Sequence, residues 1–161
     1  MNQHTNAVSV EVVQLDHGKD LPLPEHATAQ SAGVDLLAAI DADLTLKPGG
    51  RCLVPTGISI ELPVGFEAQV RPRSGLANKH GLTVLNAPGT IDADYRGEVC
   101  VMLINLGDLD FLLTRGLRIA QMVVAPVAFV QWRLSDQLGS SERGTGGFGS
   151  TGTHASTNKD G

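Results

Sequence analysis

The stretch that decides the fold is "EVCVMLIN", Glu98–Asn105. Its residues are mainly apolar, several are β-branched, and the run is too short to predict a helix, so it favours a β-strand. A second stretch near the start of the chain, "VSVEVVQL", Val8–Leu15, has the same character. Together these two runs predict a protein that is built mainly from β-strands.

Similar runs recur along most of the chain, separated by residues that favour turns. Pairs such as Pro-Gly and Gly-Asp stand between several of them, and such pairs interrupt regular structure. Because many short strands follow one another without alternating long helices, we predict an all-β sandwich, jelly roll or barrel rather than a Rossmann-type sheet. The predicted strands are Val8–Leu15, Val34–Ile40, Arg51–Val54, Gly57–Leu62, Phe66–Arg71, Glu98–Asn105, Phe111–Thr114, Arg118–Val127 and Phe129–Leu134.

One segment, "RPRSGLANKHG" at Arg71–Gly81, predicts the end of a strand followed by a single short helix. Ser74 is the expected N-cap, and Gly81 is the expected stop at the C-terminal end. The segment allows two interpretations. It is either a capped connector with His80 near the helix C-terminus, or a phosphate site in which two arginines flank a hydroxyl group.

The composition indicates one ordinary globular domain. The chain has 161 residues, 42% of them hydrophobic, and a net charge of -5, which argues against a general nucleic-acid binder with its basic surface. Met1–Leu15 lacks the pattern of a secretory signal, and the apolar stretches are too short to span a membrane. Cys52 and Cys100 are too few for a disulfide framework and favour a reduced, cytoplasmic protein. The five histidines lack the spacing of a zinc site.

The last segment, Gly139–Gly161, consists mainly of Gly, Ser and Thr. Such a composition buries too little apolar surface to offset the entropy lost on ordering, so we expect a flexible arm. We therefore predict a single β domain over residues 1–138 and an arm over residues 139–161. The arm is either a solvated tail or a strap in which Arg143 binds phosphate and Phe148 stacks on a flat ring.

The segment "LNAPGTIDADYRGEV", Leu85–Val99, contains the only tyrosine of the chain, Tyr95. We interpret the segment as a hairpin with a polar tip. Turns favour Asn, Asp, Gly and Pro because of their backbone preferences. They do not require a tyrosine, which indicates a functional role for this ring.

Five motifs, which together span Ser31–Gly152, resemble those of the trimeric dUTPases, the deoxyuridine triphosphate nucleotidohydrolases. They are "SAGVDLLA" (Ser31–Ala38), "RPRSGLA" (Arg71–Ala77), "LNAPGTIDADYRGE" (Leu85–Glu98), "RIAQMV" (Arg118–Val123) and "RGTGGFGSTG" (Arg143–Gly152). The resemblance implies a jelly-roll-like fold with one short helix and a homotrimer whose arms close neighbouring active sites. It also implies hydrolysis of dUTP to dUMP and pyrophosphate with Mg²⁺, which removes dUTP from the DNA precursor pool and supplies dUMP for thymidylate synthesis.

The resemblance assigns catalytic and phosphate-binding roles. Asp92 is the expected base that activates a water for attack at the α-phosphorus, and Gln121 is expected to position that water. Asp35 is expected to contact Mg²⁺ through water, whereas Arg118 is expected to form a structural pair. The expected phosphate ligands are Arg73, Ser74 and Gly75 beside the helix and Arg143, Gly146 and Gly147 in the arm.

The resemblance also assigns the recognition of sugar and base. Tyr95 is expected to lie against the deoxyribose and to leave no room for a ribose 2′-hydroxyl, and Phe148 is expected to stack over the base. Cytosine would leave buried groups unpaired, at about 1–3 kcal/mol each. The residues expected at the uracil edge are Asn86, Gly89, Thr90, Ile91 and Cys100.

Two other functions remain to be distinguished. A dCTP deaminase has a related fold, but the combination of Tyr95 and Asp92 with the Phe148 arm disfavours it. A non-catalytic nucleotide sensor is expected to lack the base, whereas both Asp92 and Gln121 are present. Product analysis separates these functions, because a deaminase releases ammonia and a sensor binds dUTP without turnover.

Overall fold

The structure, a computed structural model, describes residues 7–148, which form two units, residues 7–128 and residues 129–148. In the described residues, ten strands and one α-helix lie in the first unit. The elements are β1 (Glu11–Gln14), a 3₁₀ turn (Asp16–Gly18), β2 (Val34–Leu37), β3 (Leu44–Leu46), β4 (Arg51–Glu61), β5 (Phe66–Arg71), α1 (Ser74–His80), β6 (Leu82–Val84), β7 (Gly89–Ile91), β8 (Glu98–Asn105), β9 (Phe111–Leu113) and β10 (Arg118–Pro126). Within residues 7–148, no helix is long and apolar enough to cross a membrane.

The strands form two four-stranded antiparallel sheets and one strand pair. The first sheet has the order β1-β4-β8-β6, the second has the order β2-β10-β5-β7, and β3 pairs with β9. The predicted all-β, jelly-roll-like fold with one short helix is confirmed.

One hydrophobic core lies between the two four-stranded sheets. In β8 the side chains of Val99, Val101 and Leu103 are buried in this core, and Met102 between them is exposed. This alternation is the period of two that places successive side chains on opposite faces of a sheet. Each fully buried side chain of this size contributes about 1.5–3 kcal/mol to folding.

Several predicted strands match the structure and others do not. The bounds of Phe66–Arg71 and Glu98–Asn105 are confirmed. The predicted strands Arg51–Val54 and Gly57–Leu62 are one strand, β4, with an irregular register between Pro55 and Ser59. Three short strands, β3, β6 and β7, were not predicted, since three residues carry too little pattern to stand out.

The predicted strand Phe129–Leu134 is wrong, because the structure has no regular element there in the described second unit. From Val130 to Leu134 its residues alternate between apolar and polar side chains, as in a half-buried strand. A strand also requires a neighbour that accepts and donates its backbone hydrogen bonds. The alternating pattern alone does not supply that neighbour.

The short helix is confirmed, with one correction at its start. Arg73 is the N-cap, with extended backbone angles (φ -94°, ψ 126°), and Ser74 is already helical. The predicted N-cap was therefore wrong by one residue. Gly81 ends the helix in the left-handed region (φ 66°), where its N–H bonds the Ala77 and Leu76 carbonyls, as glycine without a Cβ permits.

The segment Leu85–Val99 is not a hairpin, which corrects the sequence interpretation. β7 pairs with β5 in the second sheet, whereas β8 pairs with β4 and β6 in the first sheet. Ile91 at the end of β7 and Val99 near the start of β8 are both buried in the shared core. The segment therefore carries the chain from the edge strand β7 of the second sheet to the interior strand β8 of the first sheet.

Candidate active site

A first cavity of about 570 Å³ lies beside α1, and we call it the helix cavity. Strand β10, which pairs with both β2 and β5, positions the residues on one side of the helix cavity. The register places Gln121 opposite Asp35 on one side and opposite Arg71 on the other. The predicted site residues that line the helix cavity are Asp35, Arg73, Ser74, Gly75 and Gln121.

Asp35 is held by two arginines. Its Oδ1 lies 3.0 Å from Arg73 Nε and its Oδ2 lies 3.5 Å from Arg118 Nη1, and the Asp35 side chain is 18% exposed. Arg73 Nη1 also donates to the Arg118 carbonyl at 3.1 Å. Arg118 therefore forms the structural pair expected of it, and the Arg73 side chain is engaged in the same cluster.

The amide of Gln121 is fixed on both sides. Its Nε2 donates to the Pro72 carbonyl at 3.0 Å. A Cβ added at Gly33 would lie only 2.9 Å from Gln121 Oε1, which is closer than side-chain atoms normally approach. Gly33, which sequence reasoning did not single out, therefore packs closely against this amide, and a larger residue there would displace the amide.

Two side chains that sequence reasoning did not assign to a site, Lys79 and His80, also line the helix cavity. Lys79 and His80 belong to the last turn of α1. The imidazole of His80 packs edge-on against the ring of Phe111, with the ring centroids 5.0 Å apart. The helix cavity thus holds the cationic side chains of Arg73 and Lys79 and one carboxylate, Asp35, among neutral lining residues.

A second cavity of about 320 Å³ lies beside the turn that follows β7, and we call it the tyrosine cavity. It brings together five predicted residues from two segments of the chain. They are Thr90, Ile91, Asp92, Tyr95 and Cys100.

The ring of Tyr95 is supported by backbone atoms. Its hydroxyl donates to the Glu98 carbonyl at 3.0 Å, and 45% of the residue is exposed. A Cβ added at Gly97 would overlap the hydroxyl end of the Tyr95 ring. Only a glycine at position 97 leaves room for the ring in this place, and this role was missed in the sequence.

Asp92 lies on the same turn as Tyr95. The Tyr95 N–H donates to the Asp92 carbonyl at 3.1 Å, which closes a four-residue turn. Asp92 is exposed, so its carboxylate is free to accept hydrogen bonds from water.

Cys100 and Asn86 occupy different positions with respect to the tyrosine cavity. Burial, together with the negative charge of Glu98, raises the pKa of the Cys100 thiol, which keeps this sulfur uncharged at neutral pH. The side chain of Asn86 packs against Gly89, where an added Cβ would meet its Nδ2 at 3.0 Å. Asn86 is not among the described residues that line either cavity.

The predicted site residues of one chain thus fall into separate groups. The helix cavity and the tyrosine cavity have no lining residue in common within the described part of the chain. Arg143 and Gly146 belong to the second unit, where Arg143 Nε donates to the Gly146 carbonyl at 2.8 Å and the Gly146 N–H donates back to the Arg143 carbonyl at 3.0 Å. Gly147 and Phe148 of the same motif are exposed, the Phe148 side chain fully so. Residues 149–152 of the motif, with the end of the predicted arm, lie outside the described residues.

The fold and the two cavities define a class of protein, a jelly-roll-like β protein with a polar cavity, containing Arg73, Lys79 and Asp35, beside its one described helix. The family model of dUTPase matches residues 19–152. The chain belongs to the dUTPase family.

Relatives with similar sequences give the same assignment. The chain is 56% identical over 146 residues to the deoxyuridine 5'-triphosphate nucleotidohydrolase of Anaplasma marginale (strain St. Maries), covering 91% of this chain and 99% of the relative. It is 57% identical over 150 residues to the protein of the same name from Maricaulis maris (strain MCS10), covering 92% and 99%.

Two similar solved structures are dUTPases of phages. A mutant dUTPase of Staphylococcus bacteriophage 80alpha with dUpNHpp has a TM-score of 0.77 at 25% identity, covering 90% of this chain and 99% of that one. A mutant dUTPase of phage phi11 of S. aureus, described as coordinating a structural Mg(II) ion, has a TM-score of 0.71 at 21% identity, covering 80% and 97%.

Proposed function

We propose that this protein hydrolyses dUTP to dUMP and pyrophosphate by attack of water at the α-phosphorus. The observation that carries the proposal is the tyrosine cavity, where Tyr95 and Asp92 lie together in a member of the dUTPase family. A carboxylate and a flat ring on one turn suit a site that positions a water beside a sugar. The two free cysteines agree with a cytoplasmic location.

The helix cavity is the proposed phosphate site. The Ser74 hydroxyl and the backbone N–H groups of Arg73 and Gly75 bind the bridging phosphates, and Lys79 adds a positive charge in the same cavity. The Arg73 side chain holds Asp35, so its contribution to the nucleotide comes from its backbone. Arg143, Gly146 and Gly147 bind the terminal phosphates from the arm, and Phe148 stacks over the base.

The tyrosine cavity is the proposed nucleoside site. Tyr95 lies against the deoxyribose and excludes a 2′-hydroxyl. The backbone at Gly89, Thr90 and Ile91, with Asn86 and the strand at Cys100, binds the uracil edge. The neutral thiol of Cys100 suits this position, because a charged sulfur there would lose solvation when the base binds.

The complete site is proposed to form between subunits of a homotrimer. Asp92 and Gln121 act on one water, yet they line separate cavities of a single chain. A second subunit resolves this separation by bringing its own tyrosine cavity to the helix cavity. The outer face of the first sheet offers apolar surface for assembly, since Leu53 and Met102 are neighbours in the register and are 63% and 37% exposed.

Mg²⁺ is proposed to bind on the triphosphate. Among the described residues no group of three or more acidic, histidine or cysteine side chains could hold a metal ion, and both oxygens of Asp35 are paired with arginines. This donor set fits a cation that is coordinated by phosphate oxygens and water, with Asp35 in contact through water. When bound, the cation supplies charge neutralisation on the phosphates.

Product analysis tests the proposal. The purified protein is incubated with Mg²⁺ and, in separate reactions, dUTP, UTP, dTTP or dCTP, and the nucleotide products, pyrophosphate and ammonia are measured. We expect dUMP and pyrophosphate from dUTP, with much slower turnover of the other three. Ammonia from dCTP would show a deaminase instead, and tight dUTP binding without turnover would show a sensor. Light scattering of the same sample measures whether the protein is a trimer.

A further inference from the structure

The Tyr95 ring depends on the position of a single carbonyl. That carbonyl belongs to Glu98, the first residue of β8, and it accepts a hydrogen bond from the Tyr95 hydroxyl at 3.0 Å. The hydroxyl end of the Tyr95 ring also lies against the Gly97 backbone. Whatever fixes Glu98 therefore also fixes the ring.

The side chain of Glu98 is anchored to two other segments. Its Oε1 accepts a hydrogen bond from His17 Nε2 at 2.7 Å and one from the Gly57 N–H at 2.8 Å. The Glu98 side chain is 23% exposed and the His17 side chain is 34% exposed. One carboxylate oxygen thus joins β8 to β4 and to the 3₁₀ turn near the start of the chain.

An irregularity in β4 leaves the Gly57 N–H free to bond the Glu98 side chain. The pairing of β4 with β8 is irregular between Pro55 and Ser59, and the Gly57 N–H donates to the Glu98 side chain there. The two glycines Gly18 and Gly57 also pack backbone to backbone, since a Cβ added at Gly57 would lie 2.5 Å from Gly18 Cα. The 3₁₀ turn is therefore seated directly on the irregular part of β4.

The turn that carries His17 is itself held in place. Arg115 Nη2 donates to the His17 carbonyl at 2.6 Å, and Arg115 Nη1 donates to the Ile40 carbonyl at 3.0 Å. Arg115 also pairs with Asp20. Because Arg115 holds the His17 backbone in place, the His17 ring is restrained and anchors the Glu98 side chain.

We propose that Glu98 and His17 are positioning residues for sugar selection, because together they hold the carbonyl that receives the Tyr95 hydroxyl. Glu98 itself lines the tyrosine cavity, whereas His17 does not, so His17→Ala tests the anchor without removing a group that lines the proposed nucleoside site. When the anchor is lost, the start of β8 shifts, the Tyr95 hydroxyl loses its acceptor, and the ring leaves space for a 2′-hydroxyl. The inference rests on the proposed function, in which Tyr95 excludes ribose.

The test measures discrimination between two sugars. The ratio of kcat/KM for dUTP to kcat/KM for UTP is determined for the wild type and for Glu98→Ala, His17→Ala and Glu98→Gln. We expect a loss of roughly two- to tenfold in this ratio for Glu98→Ala and His17→Ala, the effect of about one hydrogen bond. Glu98→Gln keeps an acceptor oxygen and should retain the ratio. A purely structural role would lower active protein without changing the ratio.

Two further variants separate the anchor from other effects. Asp16→Ala removes a carboxylate from the same 3₁₀ turn, where it pairs only with Lys19 among described residues, and it should leave the ratio unchanged. In the double variant Tyr95→Ala with Glu98→Ala, the ratio should be no lower than in Tyr95→Ala alone, because both changes remove the same restraint.

The outcomes are distinct. The inference is overturned if folded Glu98→Ala and His17→Ala both keep the wild-type ratio, or if the effects of Tyr95→Ala and Glu98→Ala multiply. If Glu98→Ala does not fold, His17→Ala decides between the two results. A wild type that does not hydrolyse dUTP would overturn the proposed function, and a wild type that hydrolyses dUTP and UTP alike would overturn the sugar role of Tyr95 and the inference with it.

Discussion

At the scale of single residues, the turn Asp92–Tyr95 places a carboxylate and an aromatic ring at its two ends. The turn is closed by the hydrogen bond from the Tyr95 N–H to the Asp92 carbonyl. Arg96 Nη1 donates to the Ala93 carbonyl at 2.7 Å, which adds a second constraint within the turn. A proposed base needs this kind of fixed position, because proton transfer from water depends on geometry first.

Asp92→Asn should keep nucleotide binding and reduce turnover by on the order of 10²–10⁴-fold, the usual contribution of a general base. The amide retains the size of the side chain but accepts a proton poorly. Single-turnover hydrolysis and dUTP binding, measured on the same sample, check this expectation. Asp94→Asn, an exposed neighbour on the same turn, is the matched control, and near-normal turnover in Asp92→Asn would contradict the assignment.

At the scale of elements, a single arginine fastens the 3₁₀ turn to the loop that precedes β10. Arg115 bonds the carbonyls of His17 and Ile40 and pairs with Asp20. The hydrogen bond from Arg115 lowers the pKa of Asp20. Because the folded pKa lies below the unfolded value, this pair stabilises the fold above the unfolded pKa, and the stabilisation is lost as the pH falls through the folded pKa.

Asp20→Asn should therefore lower Tm at neutral pH, and the difference from the wild type should shrink below about pH 4, where an aspartate in an unfolded chain also becomes protonated. Tm is measured from pH 7 to pH 3 at one protein concentration, because assembly also affects Tm. Asp16→Asn, on the neighbouring turn, is the control. A difference that grew towards low pH would have the wrong sign for this pair.

At the scale of the whole molecule, the division of the site between two cavities makes a prediction about assembly. Asp92→Asn and Gln121→Ala, each inactive alone, should recover activity when their subunits are mixed. If the two residues act from neighbouring subunits, every mixed trimer contains one site with both native residues, and random mixing gives about a quarter of wild-type activity. Subunit exchange is confirmed by mass spectrometry, and exchange without recovery would place both residues in one subunit.

The arm makes a second prediction at this scale. Truncation after Gly139 should leave Tm nearly unchanged, because the removed residues contribute little apolar burial. Turnover should fall severely if the arm closes the site as proposed, since Arg143 and Phe148 would then be lost from it. Phe148→Ala should reproduce part of the loss, with a stacking contribution of roughly 1–3 kcal/mol. A truncated protein with wild-type turnover would leave the arm without this role.

The sequence alone determined the features that depend on local pattern. The bounds of β5 follow from alternating apolar and polar residues and those of β8 from a mainly apolar run, and the end of α1 at Gly81 follows from the backbone freedom of glycine. The motif around Tyr95 also predicted a functional role for this ring, which stays a prediction, but the hairpin predicted with it was wrong. For the two strands and the helix end, the physical cause lies within a few residues of its effect.

Only the tertiary structure decided the features that join distant segments. It paired β7 with β5 rather than with β8, and it provided no strand neighbour for Phe129–Leu134 in the described residues. It also brought His17 to Glu98, 81 positions away. Hydrogen bonds and ion pairs of this kind depend on which faces meet in the folded chain, so the pattern of either segment alone cannot specify them.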